Sequence, residues 1–403
     1  MIPGSLRGAF GLPEFDSLES TYAYCFYRLL ARAKHVTLFY DSRTEALGNG
    51  EISRYVSQMR YLMPALNVDI TNVSPAAVPS DKGTVAVPKT PEVMSRLEQL
   101  KPGGDIFLSA SALKTYIRCP LQFYLQYVGS MRGSDELADY ISASDFGTIV
   151  HNSIQELTKG YEGCLIDRSF YDRLLQENNR TIERTVLSKV VDQCYQQYRT
   201  ADGSDPLLPA EGMLCVEVVT KMVRNDLAAE RDYYGHDGFT YITSEEKHRG
   251  PWKISDKLTI NFTMSIDRVD RIDAGKLRFI DFKTGDEETS ATLDKVFSGG
   301  AEGIFQVLTY CEAYAAMEKS ELDIVPMIHP RRMLNSGEPL VPVIVDKSEI
   351  KSYRQISDKF MPRLREMLER IFDNETPFTQ CENASDCRFC PFLSLCGRVV
   401  PIF

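Results

Sequence analysis

Residues 258–283 read LTINFTMSIDRVDRIDAGKLRFIDFK, and this stretch decides the fold. From Leu258 to Asp267 the residues alternate strictly, with Leu258, Ile260, Phe262, Met264 and Ile266 apolar and Thr259, Asn261, Thr263, Ser265 and Asp267 polar. A period of two marks a half-buried strand and puts Asp267 on its polar face. Asp273-Ala274-Gly275-Lys276 supplies turn residues, so Leu277–Lys283 is expected to return as the second strand of a hairpin. Side chains on a strand repeat every second residue. Asp281 and Lys283 therefore share one side, with Ile280 and Phe282 on the other.

Two acids and an amine brought together in this way suit phosphodiester hydrolysis. That reaction needs a hard cation to hold a non-bridging oxygen and acidify a water, and two carboxylates plus waters suit Mg²⁺. Asp267 and Asp281 fill that role, and Lys283 can orient the attacking water and offset charge in the transition state. An isolated Asp-x-Lys is more simply a charged surface hairpin, but the flanking segments argue against that here. Upstream, Gly147-Thr148-Ile149-Val150-His151 reads as the first turns of a helix, with Asp145 the expected N-cap and His151 a third candidate metal ligand. Downstream, Gln306 and Tyr310 stand four residues apart on a helical segment from Ile304 to about Met317, on one face, where both can meet Lys283 and a DNA phosphate.

The order Gly-x-x-x-His, Ile-Asp-Arg-Val-Asp, Ile-Asp-Phe-Lys-Thr-Gly and Gln-x-x-x-Tyr resembles the RecB-type branch of the PD-(D/E)xK nucleases, most closely the nuclease domain of AddB-like proteins. Leu108–Leu113 and Cys119-Pro120-Leu121-Gln122-Phe123-Tyr124 extend the likeness, which covers about residues 105 to 400. The chain departs from it at Met264, where a glycine is common in that family. The resemblance implies an α/β PD-(D/E)xK core, a mixed central sheet flanked by helices. It further implies metal ligation by His151, Asp267, Asp281 and the Phe282 carbonyl, with Lys283 as the catalytic lysine and Gln306 and Tyr310 in support.

Cys387-x2-Cys390-x5-Cys396, with Cys119 far upstream, offers four thiolates of the kind that hold zinc or an iron–sulfur cluster. Spacing alone does not choose the metal, and Cys381 is a fifth candidate. The AddB-like resemblance implies a structural [4Fe–4S] cluster on Cys119, Cys387, Cys390 and Cys396, tying the C-terminal segment to the helix before Cys119. Cys25, Cys164, Cys194, Cys215 and Cys311 are scattered and read as buried apolar residues.

The 403 residues carry a formal charge of −10, where a protein that coats DNA would show a basic stripe. A nuclease whose DNA contact is confined to a cleft remains compatible, with Lys114, Arg118, Arg268, Arg271, Arg331 and Arg332 as candidate phosphate contacts. No apolar run reaches membrane-spanning length and Met1-Ile2-Pro3-Gly4 does not begin a signal peptide, so cytoplasmic residence is expected, with metal or free thiols in place of disulfides.

Residues 1–74 are read as a small α/β segment with a helix over Tyr22–Lys34 and a strand over Val36–Tyr40. Tyr27–Lys34 and that strand resemble the last motif of UvrD-type helicases, Arg32 matching its arginine. No Gly-x-x-x-x-Gly-Lys-Ser/Thr occurs, so the segment is expected to be a helicase-like remnant that does not cradle ATP by itself. Residues 75–105, rich in Pro, Ala, Val and Gly, are expected to be linker, and 106–403 the nuclease domain. Further helices are expected over Phe170–Arg199, Glu211–Tyr234 and Ile350–Phe372, and strands over Ile324–Ile328 and Val341–Val345.

The expected function is Mg²⁺- or Mn²⁺-dependent DNA cleavage, exonucleolytic or end-processing, on a single strand or at a duplex end. The expected setting is recombinational repair of double-strand breaks, alongside a helicase–nuclease partner subunit. A non-catalytic DNA-end-binding or scaffolding subunit and a metal-containing protein-interaction module are the alternatives.

Overall fold

The long strand pair expected from residues 258–283 forms the middle of a six-stranded sheet. The computed structural model describes residues 15–39, 52–63, 65–66, 68–71, 84–131, 141–200, 205–234, 237–283, 288–318, 321–330, 339–388 and 390–398. The chain divides into two units, Met1–Asp81 and Lys82–Phe403.

In the first unit, helix α1 (Phe15–Leu30) and helix α2 (Arg54–Leu62) carry an aromatic contact, Phe26 stacked on Tyr55 with centroids 5.1 Å apart. The expected strand over Val36–Tyr40 is not formed in residues 36–39, and Tyr40 lies outside the described residues. A strand needs a neighbour for its backbone groups. Among the described residues none pairs with it, and Phe39 is 91% exposed.

The second unit begins earlier than expected. Within the expected linker, residues 84–105 form β1 (Ala86–Val87) and α3 (Pro91–Glu98), and Val93, Leu97 and Leu100 are buried in the main core. Apolar residues at helical spacing outweigh the flanking Pro and Gly. Then follow α4 (Ala110–Arg118), α5 (Pro120–Phe123), α6 (Ala143–Thr158), β2 (Leu165–Ile166), α7 (Arg168–Leu175), α8 (Thr181–Cys194) and α9 (Ala210–Tyr234). Ser142, three residues before the expected cap Asp145, is the true N-cap of α6. Its hydroxyl accepts from the Asp145 N–H while the Asp145 carboxylate accepts from the Ser142 N–H, a reciprocal capping box.

The sheet strands are β3 (Phe239–Lys253), β4 (Thr259–Asp273) and β5 (Lys276–Lys283), then, after β6 (Ser290–Ala291), α10 (Leu293–Phe297) and α11 (Glu302–Met317), β7 (Asp323–Pro330) and β8 (Val341–Pro342). Six strands pair in the order β2-β3-β4-β5-β7-β8, all antiparallel except β5 with β7. That parallel joint requires a crossover, and α11 supplies it. Short strands β9 (Ile344–Val345) and β10 (Ser348–Glu349) follow, then α12 (Ser357–Phe372), β11 (Phe378–Thr379) and α13 (Leu393–Cys396). The helix expected from Ile350 starts at Ser357, because Ser352 caps a separate 3₁₀ turn over Tyr353–Gln355.

Each face of the sheet is covered. On one, Ile260, Phe262, Met264, Ile266, Leu277 and Phe279 pack with residues of α4, α11 and α12. On the other, Ile280 and Tyr241 pack with residues of α6, α7, α8 and α9. Met264, the position where the chain departs from the resemblance, is 2% exposed within the first core.

Candidate active site and cysteine cavity

The pairing of β4 with β5 runs from Asp273–Lys276 to Arg268–Ile280 and stops. Beyond it β4 stays with β3 and β5 stays with β7, so the two central strands part company. Asp267 and Asp281 are the next residues on either side of the opening. The Phe282 N–H donates to Asp267 Oδ2 at 2.8 Å across it, which holds the two strands at a fixed spacing.

His151 reaches this opening from α6. Its Nε2 lies 3.9 Å from Asp267 Oδ1 and its Nδ1 lies 3.1 Å from Glu245 Oε1. Glu245 escaped the sequence reading. It lies on β3 between the pairs Ser244–Arg268 and Glu246–Ile266, opposite Asp267, and its φ of 54° is in the left-handed region. A non-glycine residue held there is strained, and such strain gathers at functional sites. The Ser265 hydroxyl fixes the aim of the side chain by donating to Glu245 Oε2 at 2.8 Å. One donor atom each from His151, Glu245 and Asp267 lies within 4.8 Å of the others, a spacing one metal ion can span.

Asp281 is 2% exposed, and neither of its oxygens receives a directed hydrogen bond, although Lys283 Nζ stands 2.8 Å from Oδ2. A buried carboxylate in this state is costly unless a cation completes it. Burial and the Asp281 charge push the Asp267 carboxyl up to about 8. Burial holds the His151 imidazole below its ordinary value, leaving a neutral ring nitrogen to donate. These are the properties of a site that fits a divalent ion.

Gln306 and Tyr310 sit where the helical spacing placed them. Gln306 Oε1 accepts from Lys283 Nζ at 3.1 Å, and Gln306 Nε2 donates to the Tyr310 hydroxyl at 3.2 Å. Burial raises the Tyr310 pKa, so the phenol stays protonated. The structure ties in Phe282 through its N–H and through its ring, which lies 5.4 Å from that of His151 and 4.7 Å from that of His329. His329, from β7, pairs with Asp226 of α9 at 2.7 Å. Burial alone would lower the His329 pKa, but the Asp226 carboxylate outweighs it and the net shift is upward.

Arg268, expected among the phosphate contacts, is instead 2% exposed and bonded to Glu230 and Asp270. Arg271 is exposed, and Arg331 and Arg332 lie outside the described residues.

The metal-free fold has a definite pH signature. A carboxyl whose folded pKa is raised stabilises fully only below its ordinary value of 3.8, and that contribution is lost as pH rises through about 8. A divalent ion favours the ionised form. Mn²⁺ is therefore expected to raise the melting temperature more at about pH 8 than at about pH 6, and Glu245→Gln to shrink the gain. Equal gains at both pH values in wild type and variant would put the ion elsewhere.

A second site lies at the far end of α4. Cys119, Cys381, Cys387, Cys390 and Cys396 line one small cavity with Gln122, Gln380, Phe392 and Leu393. Cys119 enters as the residue between α4 and α5. The pairing of β1 with β11 delivers Cys381, whose Sγ is 3.3 Å from that of Cys387. Burial pushes the thiols of Cys390 and Cys396 up and that of Cys381 to about 12, so ionising them calls for a thiophilic metal. The four expected cysteines thus meet, joined by the fifth. Of the scattered cysteines, Cys215 and Cys311 are buried as expected, Cys194 is half-buried, and Cys25 and Cys164 are exposed.

The sheet opens between two acid-bearing strands, with one helix delivering His151 and a crossover helix delivering Gln306. The PD-(D/E)XK nuclease superfamily matches residues 107–397, and the chain belongs to it. It is also similar to an ATP-dependent helicase/deoxyribonuclease component of Carboxydothermus hydrogenoformans, 28% identical over 53% of this chain and 19% of that protein. The proteins of the same name from Streptococcus agalactiae and Clostridium tetani are 24% identical over 66% of this chain and 21% of theirs, and 23% identical over 59% and 20%. The chain spans about a fifth of the length of these curated relatives. Among the described residues no helix is long and apolar enough to cross a membrane.

Proposed function

We propose that this chain cleaves DNA phosphodiesters in a reaction that depends on Mg²⁺ or Mn²⁺, acting on a single strand or at duplex ends. The observation that carries the reading is Asp281, a buried carboxylate without a directed hydrogen bond, set beside Lys283 where β4 and β5 separate. His151, Asp267 and Glu245, whose donor atoms lie close together, would hold the ion, with Asp281 and the Phe282 carbonyl kept from the expected set. When bound, the ion supplies Lewis acidity toward a phosphate oxygen and a water. Lys283 holds a positive charge beside the reacting phosphate, Gln306 fixes the ammonium, and the Tyr310 hydroxyl fixes Gln306. Cleavage of end-labelled DNA by wild type and by Asp281→Asn tests the reading.

The names of the relatives support a setting alongside a helicase partner, and we place that setting in repair of double-strand breaks. The N-terminal unit is assigned to a helicase-like remnant on the motif around Arg32. In the cysteine cavity, Cys119, Cys387, Cys390 and Cys396 would hold a [4Fe–4S] cluster, leaving Cys381 over. Protein purified without oxygen is expected to carry about four irons and four sulfides per chain. Zinc without sulfide would overturn that assignment, and Cys381→Ser should leave the iron content unchanged.

A further inference from the structure

Lys114 projects from α4 toward α11, and its Nζ donates to Gln306 Oε1 at 2.7 Å. The same oxygen accepts from Lys283 Nζ at 3.1 Å. Two ammonium groups therefore crowd one neutral amide oxygen. Lys283 stands 2.8 Å from Asp281, inside the opening. Lys114 lies toward Glu302, 4.0 Å from one of its oxygens, while Arg118 engages the other. The Lys114 side chain is 16% exposed.

The surroundings explain what such a charge is for. Asp281 and Glu245 place negative charge around Asp267 that would repel a polyanion, in a chain whose net charge is −10. A substrate strand needs cations beside that charge. Gln306 gathers two of them at one neutral oxygen, Lys283 beside Asp281 at 2.8 Å and Lys114 at 4.0 Å from Glu302, so two positive charges stand together at the edge of the opening. A carboxylate at position 306 would quench the pair.

We propose that Lys114 binds a phosphate of the substrate strand next to the scissile one, as a positioning residue for the nuclease reaction assigned to this site. The proposal rests on that reading and adds to it a place where the strand is held. Lys283 serves the reacting phosphate and Lys114 its neighbour. Arg118, one turn further along α4, stays with Glu302 and keeps α4 against α11.

Kinetics on labelled oligo(dT) at a series of KCl concentrations, with Mg²⁺, test this in the whole chain. Lys114→Ala is expected to raise KM about tenfold and to reduce the slope of log affinity against log salt by about 0.7, the contribution of one phosphate contact on a single strand. The same variant should leave kcat within about twofold. Lys114→Arg should restore the slope, and Lys114→Gln gives a second reading should the alanine variant fold poorly. An unchanged slope, with a kcat loss matching that of Gln306→Ala, would make Lys114 a strut for Gln306 and overturn the proposal. If wild type cleaves nothing with Mg²⁺ or Mn²⁺, the nuclease reading fails separately. Equilibrium binding of the same strand then decides the matter for Lys114, a lost phosphate contact supporting its role and an unchanged slope refuting it.

Discussion

Asp281→Asn is expected to reduce the single-turnover rate of DNA cleavage by about a thousandfold or more while leaving strand binding intact. The asparagine keeps the shape of a side chain that is 2% exposed, so packing changes little. It removes the charge that a divalent ion and Lys283 both need at this position, 2.8 Å from the ammonium. It also removes the neighbouring charge that helps hold the Asp267 carboxyl up at about 8, so the Asp267 pKa should fall. Binding of single-stranded DNA in Ca²⁺ should hold or tighten, because one repulsive charge has gone. A variant that cleaves within tenfold of wild type would show that the reaction does not run through Asp281.

The second large effect concerns stability. Arg268→Met is expected to cost about 3–5 kcal/mol, because Glu230 and Asp270 each lose a buried charged partner. Arg268 bonds to Glu230 at 2.7 Å and to Asp270 at 2.9 Å, and its guanidinium lies 4.5 Å from the centre of the Phe239 ring. Some compensation remains, since Arg278 holds Asp270 at 2.6 Å and the Tyr171 hydroxyl donates to Glu230 at 2.8 Å. For a unit of this size the loss corresponds to a melting temperature lower by about 4–7 °C. Asp281→Asn, measured beside it, should melt within a few degrees of wild type. If Arg268→Met melts as wild type does, the buried pairs contribute nothing net to the fold.

Much of the sheet and its acids was legible because the information is periodic and local. Alternation over Leu258–Asp267 and the turn at Asp273–Lys276 dictate a hairpin, and the hairpin brings Asp267 and Asp281 to the same opening. The i, i+4 spacing of Gln306 and Tyr310 similarly survives folding as a hydrogen bond. Glu245 was not legible. Its place depends on the register of β3 against β4 and on one left-handed residue in mid-strand, and neither leaves a short motif. Arg268 misled for a related reason. Asp267 and Asp270 are three residues apart, yet one serves the opening while the other joins a buried network that takes the arginine with it. The cysteine spacing marked the trio near the C-terminus and left Cys381 a fifth candidate, and the pairing of β1 with β11 sets it beside the cavity.

That small pair of strands also governs how the second unit bears load. Ala86 and Val87 pair with Thr379 and Phe378, and Cys119 meets the cysteines of residues 381–396 close by. A pull on the chain across this unit would be met at this strand pair, and at the cluster proposed for the cavity, before tension reached β3, β4 or β5. Opening the strand pair alone leaves the cysteine cavity, and whatever it binds, as the remaining clasp. The unit is thus built like a closed loop with its buckle at one edge, and the carboxylates sit on the part of the loop that stays slack.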